Sequence, residues 1–228
     1  MSDVEGFVGE EGQTWSTYKS WVETHIRLLL LQGDMQVGQI YSANAMAKEL
    51  QVSNSPVREA MMSLTERGLL ELVRNRGFRV VRLGSTDVWE IYQLRRLLEV
   101  EAVRTVAAAR LTSEQVTNIE EYATHADELS TGASAGGMFD YLEADHHFHL
   151  YLVSLTGNQR WVELLGRLRD QCRVNGLHAH APHYGSTAAA PGRHVDIADA
   201  VITRDVRRAV QAMEAHLDYL RMAAEDNI

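Results

Sequence analysis

Four side chains that ligate metals well fall on helical faces that are otherwise apolar. Met138, Leu142, Asp145, His149 and Leu152 follow steps of four, three, four and three, which places all five on one face of a helix. Val206, Ala209, Met213, His216 and Leu220 repeat the pattern near the C-terminus. His194 heads a stripe continued by Ile197 and Val201. A buried ionised aspartate costs several kcal/mol unless it is paired. Any one of these histidines, read alone, is a hydrogen-bonded core residue. Together with a carboxylate they point to a divalent cation, with Asp145 and His149 as an i, i+4 clamp completed by His194 and His216. Three nitrogens and one oxygen suit zinc or nickel, or another first-row ion, and leave positions open for water or a ligand.

Arg95 lies on the inward stripe Val88, Ile91, Arg95, Leu98, Ala102. An inward guanidinium wants a bidentate anion. That anion is the carboxylate of a small effector, or Asp145, or another core acid. Arg169 and Asn175 are further candidates for the same pocket. His178, His180 and His183 lie in a Gly, Ala and Pro-containing stretch and read as a solvated loop.

A second constellation lies earlier in the chain. A recognition helix presents its N-terminal residues to base edges in the major groove. Ser53, Asn54, Ser55 and Arg58 stand at such a start. Small hydroxyls and backbone N–H groups suit phosphate oxygens, and Arg58 can fork onto a guanine edge. Arg74 and Arg76 flank a Gly-containing turn, at the tip of a β-hairpin that can reach a neighbouring groove.

These residues need elements to carry them. Helical periodicity marks residues 15–32, 42–50 and 53–67; two β-type runs, 70–74 and 78–82, surround Asn75-Arg76-Gly77. Three helices and a hairpin make a winged helix-turn-helix over residues 15–83. Ser53 or Ser55 can cap the third helix. Residues 84–86 read as a linker. Residues 87–228 then read as six helices with short connections, an all-α antiparallel bundle. The fold class is therefore mainly α.

The net charge of −9 argues at first against nucleic acid, but its distribution does not. Residues 48–82 hold seven basic and four acidic side chains, whereas residues from 85 onward hold 13 basic and 21 acidic. A cationic reader is joined to an acidic body. The single cysteine, Cys172, excludes an internal disulfide and fits a reducing cytoplasm. Residues 1–14 lack the basic and apolar regions of a signal peptide and read as a disordered tail. No apolar run is long enough to span a membrane.

Residues 22–82 resemble the DNA-binding domain of the GntR family of bacterial regulators. The resemblance rests on Gly33 and Gly38, Ala47 and Leu50, and the run Val52-Ser53-x-Ser55-Pro56-Val57-Arg58-Glu59-Ala60. Leu64, Gly68-Leu69, Asn75-Arg76-Gly77 and Val80 complete it. The remainder resembles the FCD ligand-binding domain of the FadR subfamily, in its six-helix VanR-like branch. Arg95 to Glu99 matches its Arg-x-x-Leu-Glu, and Asp145, His149, His194 and His216 match its metal-site pattern. The resemblance implies a homodimer that binds double-stranded, palindromic operator DNA, no enzymatic activity, and control by a small organic or sugar acid near the metal. Two departures stand out. The family commonly carries arginine, a DNA contact, where this chain has Asn44 and Asn54.

Two other functions are open to the same residues. The ion itself could be the signal. A metal-dependent hydrolase fused to a DNA reader would use the same ligands to activate water, but no further acid or histidine is spaced as its general base.

Overall fold

The computed structural model describes residues 7–8, 14–15, 18–131, 137–177 and 193–225. The chain divides into two units, Met1–Arg82 and Leu83–Ile228.

In the first unit, α1 (Tyr18–Gln32), α2 (Ala43–Glu49) and α3 (Asn54–Glu66) enclose a core of Val22, Ile26, Leu30, Met46, Val57, Met61 and Leu64. These are the 3.6-period positions of each helix, so the pattern that predicts the helices also predicts their inner faces. Two short strands, β1 (Phe7–Val8) and β2 (Thr14–Trp15), pair antiparallel, so that part of the segment 1–14 read from sequence as a disordered tail is strand, joined to Trp15 just beyond it. The wing has one strand more than the sequence suggests. β4 (Leu70–Val73) and β5 (Gly77–Val80) form the expected hairpin, and β3 (Ile40–Tyr41) pairs with the other side of β5. Two residues carry no readable period, which is why β3 escapes a pattern search.

The turns are held by unusual backbone. Gln51 has φ 55° in the connection between α2 and α3, and Asn75 has φ 61° at the wing tip, where an Asn side chain tolerates the left-handed region. Ser53 occupies the N-cap position of α3 without a side-chain hydrogen bond to the helix, and Ser55 Oγ donates instead to Glu59 Oε1 at 3.0 Å. Gly77 has φ +128°, and a Cβ there would meet Tyr41 O at 2.4 Å. Gly77→Ala is therefore expected to push β3 off β5. We expect a loss of roughly 1–3 kcal/mol from this unit, measured by thermal unfolding, with weakened DNA binding in parallel.

The second unit holds six helices among the described residues: α4 (Ser85–Ala108), α5 (Ser113–Thr131), α6 (Gly137–Ser154), α7 (Gln159–Val174), α8 (His194–Ile202) and α9 (Val206–Glu225). Val103, Val106, Ile119, Phe148, Leu152, Ile197, Val201, Met213 and Leu217 form the larger core cluster. Val88, Ile91, Cys172, Leu220 and Ala223 form a second one between α4, α7 and α9. The loop histidines 178, 180 and 183 lie outside the described residues. One boundary differs from the sequence reading. Ser85 and Thr86, expected in a linker, are the first residues of α4, because the Gly84 N–H donates to Asp87 Oδ2 at 2.8 Å and so starts the helix two residues earlier. Among the described residues no helix is long and apolar enough to cross a membrane.

Candidate functional site

In the first unit, Asn44 from α2, Asn54 and Arg58 from α3, and Arg74 and Arg76 from the wing line one open cleft of about 360 Å³. Helix and hairpin thus bring together five of the seven residues that the sequence singles out. Ser53 and Ser55 flank the start of α3 and do not line that cleft. The two asparagines are partners: Asn54 Nδ2 donates to Asn44 Oδ1 at 2.5 Å, although ten positions separate them. Arg79 is neutralised by Glu71 on the neighbouring strand at 2.7 Å.

In the second unit, α6 contributes Asp145 and His149, α8 contributes His194 and α9 contributes His216. All four are buried, and their ligating atoms lie within 4.8 Å of one another. The arrangement converges on one carboxylate oxygen. Asp145 Oδ1 lies 3.1 Å from His194 Nε2, 3.6 Å from His149 Nε2 and 3.8 Å from His216 Nε2. His149 Nε2 and His216 Nε2 are 2.9 Å apart. The other Asp145 oxygen accepts from Arg169 Nη2.

The far sides of two imidazoles face carboxylates that the sequence reading missed. Glu99 Oε2 lies 2.5 Å from His149 Nδ1, and Asp127 Oδ1 lies 2.8 Å from His194 Nδ1. A metal-bound histidine usually gives its second nitrogen to such a group, which fixes its tautomer and aims the other nitrogen at the ion. The donor set therefore fits a divalent first-row cation, the four residues forming a cluster that can hold one. A signal for Asp127 was present: it stands beside the apolar stripe Ile119, Ala123, Ala126 of α5, just as Asp145 does on α6. Glu99 lies one turn beyond Arg95, again on an inward face.

The two acids are orienting groups, already committed. Glu99 accepts from Arg95 Nε at 2.6 Å and from Arg169 Nη1 at 3.0 Å. Asp127 also accepts from the backbone N–H groups of His194 and Val195 and from Arg193 Nε, each at 3.2 Å. Burial alone would raise the Glu99 carboxyl, but Arg95, His149 and Arg169 outweigh it and hold it well below the usual carboxylate range. Burial, with the nearby Arg169 charge, pushes His149 down to about 4, so its imidazole is neutral at physiological pH and able to ligate. Burial also opposes charge on His194, but its hydrogen bonds to Asp127 and Asp145 carry it above the ordinary value.

Arg95 pairs with Glu99, not with Asp145, and its Nη1 donates to the Tyr219 hydroxyl at 3.0 Å. Two buried guanidinium atoms beside this cluster, Arg95 Nη2 and Arg169 Nε, have no hydrogen-bond partner among the described residues. Asn175 is placed elsewhere in the unit: its side-chain oxygen accepts the Leu83 N–H at 3.0 Å.

Comparison with known proteins agrees with both halves. Residues 19–80 match the bacterial regulatory proteins of the gntR family, and residues 90–219 match the FCD domain. The Nta operon transcriptional regulator of Aminobacter aminovorans is 34% identical over 128 residues, 56% of this chain and 59% of that protein. The chain thus spans under two thirds of that relative. The Uxu operon transcriptional regulator of Escherichia coli strain K12 is 30% identical over 194 residues, 77% of this chain and 74% of its own. The solved GntR regulator of Rhodococcus sp. RHA1 is 26% identical with a TM-score of 0.72, covering 91% of this chain and 96% of that one. E. coli McbR/YncC shares the fold at 19% identity, with a TM-score of 0.74 over 92% of this chain and 98% of its own. With a winged DNA reader at one end and a six-helix ligand-binding fold at the other, the chain belongs to the GntR family of bacterial transcription regulators, as a FadR-like member with an FCD domain.

Proposed function

We propose that this regulator is a dimeric repressor, and that a small organic or sugar acid bound beside a metal ion releases it from a palindromic operator. The observation that carries the reading is the shared location of two features in the buried cluster. Four metal-ligating atoms converge on one point, and two guanidinium atoms beside them, Arg95 Nη2 and Arg169 Nε, have no hydrogen-bond partner among the described residues. An ion held by Asp145, His149, His194 and His216 would supply positive charge and open coordination positions to an oxygen ligand. Arg95 and Arg169 would take the remaining carboxylate charge, which an apolar acid-free ligand would leave unsatisfied. Zinc and nickel both suit the donor set.

Release must be large enough to matter. A hundredfold loss of operator affinity requires the acid to prefer the released state by about 2.7 kcal/mol. The test is operator binding by the metal-loaded protein across a panel of hydroxy, keto and sugar acids. Release by one class supports the reading. Release by chelation alone, with no acid effective, would instead make the ion the signal.

Asn44, Ser53, Asn54, Ser55, Arg58, Arg74 and Arg76 are the DNA contacts in this proposal. Arginine forks onto guanine and asparagine onto adenine. With Asn54 held by Asn44, each arm of the operator is expected to carry adenine at the position Asn54 meets. Asn54→Arg should move that preference to guanine by roughly 1–3 kcal/mol. Selection from random duplexes measures this directly, and the same base for both proteins would show that Asn54 does not read it.

A further inference from the structure

We propose that the ligand of the buried cluster carries two acid groups, and that Arg173 on α7 receives the second. The inference rests on the acid-gated reading above and narrows it to a class of ligand. Arg173 stands four positions after Arg169. That spacing places the two residues on one face of α7, about 40° apart around the axis and about 6 Å along it. Both side chains are 0% exposed. Arg169 reaches Glu99 of α4 and Asp145 of α6. One turn further on, Arg173 Nη2 donates to Glu143 of α6.

The two arginines differ in what satisfies them. Arg169 is held by two buried carboxylates. Arg173 has its short ion pair with Glu143, whose side chain is 28% accessible and so lies at the edge of the unit. Asp170 Oδ1 stands 3.8 Å from Arg173 Nη1, too far for a hydrogen bond. Arg173 Nε and Nη1 are buried and have no hydrogen-bond partner among the described residues. They join Arg95 Nη2 and Arg169 Nε, which are in the same condition. Buried polar groups are nearly always hydrogen-bonded, and a guanidinium cannot shed its proton to escape the cost. A purely structural network would close on itself, whereas this one leaves donors open on three arginines.

One carboxylate does not serve all three. It has two oxygens, and Arg95 and Arg169 together take both. The donors of Arg173, a turn away along α7, need a second acid group. A diacid of about four to six carbons spans that turn.

Titration calorimetry on the zinc-loaded full chain tests this by comparing diacids with monoacids of the same length: succinate with butyrate, glutarate with pentanoate, adipate with hexanoate. In the wild type a diacid is expected to bind about tenfold to a hundredfold more tightly than its matched monoacid, the worth of hydrogen bonds to a charged group. Arg173→Gln should abolish that preference and leave monoacid affinity unchanged. Glu143 can take water once its partner is gone, so this variant is expected to melt close to the wild type. Glu143→Gln alters only the accessible edge. It releases Arg173 from its ion pair and should widen the diacid preference by about fivefold. Should Arg173→Gln not fold, Glu143→Gln decides in its place. If no acid of either kind binds, the acid-gated reading itself falls. If monoacids bind as tightly as their matched diacids, or the preference survives in Arg173→Gln, the second acid site is overturned and the reading with a single acid group stands.

Discussion

Glu99→Ala is expected to cost about 3–5 kcal/mol, among the largest effects available from one side chain in the helical unit. The reason is what it leaves behind. Glu99 is 1% exposed and accepts from two arginines that are themselves 0% exposed. Removing it takes away the carboxylate that both guanidinium groups share, leaving the Tyr219 hydroxyl on Arg95 and Asp145 on Arg169. Neither guanidinium can release its proton, and neither can reach water without opening the core. For a protein of this size the melting transition of the unit should fall by roughly 10 °C, taking about 2–4 °C per kcal/mol. The contrast is Arg208→Ala. It breaks the pair with Asp199 at 2.6 Å, whose side chains are 48% and 55% accessible. An exposed pair of this kind is worth at most about 1 kcal/mol. If the two variants melt together, the buried network is not what holds these helices.

His149→Ala is expected to abolish stable metal retention and the response to acid while leaving operator binding in place. His149 supplies one of four converging ligands, and alanine offers no donor atom in its place. Loss of a group that only orients a ligand costs roughly 10–100-fold in metal affinity. Loss of the ligand itself should cost more. Asp127→Asn supplies the comparison: it keeps the shape but weakens the hold on His194 Nδ1, so it should fall within that 10–100-fold range. Elemental analysis after dialysis measures the metal, and operator titration with and without acid measures the response. Arg95→Ala should separate the two readouts, retaining metal and losing the acid response. If His149→Ala keeps full acid affinity and full release, the ion is structural and the gating mechanism proposed above is wrong.

Much of this was readable before any coordinates. The helix periods located all nine described helices, because a 3.6-residue repeat of apolar side chains is a local signature of a buried face. The same repeat exposed Asp145, His149, His194 and His216 as polar intruders on inward faces. The run from Val52 to Ala60 and the turn at Asn75 identified the DNA reader, because capping, turn and groove-reading residues must occupy fixed local offsets.

Pairings across long sequence distances were not readable, since they depend on how helices rotate and slide against one another. Arg95 could have paired with Asp145 on spacing alone; packing gave Asp145 to Arg169 and left Arg95 on Glu99. Asp127 became the orienting partner of His194 only when α5 and α8 met across 67 positions. Asn44 and Asn54 became one unit because the turn at Gln51 folded α2 against the start of α3. Asn175 read as a pocket candidate, and packing placed its side-chain oxygen on the Leu83 N–H instead. The sequence by itself determined which side chains would be inward and what chemistry they could do. Only the tertiary structure decided their partners, because a buried charge is settled by whichever opposite group the packing brings within hydrogen-bond reach.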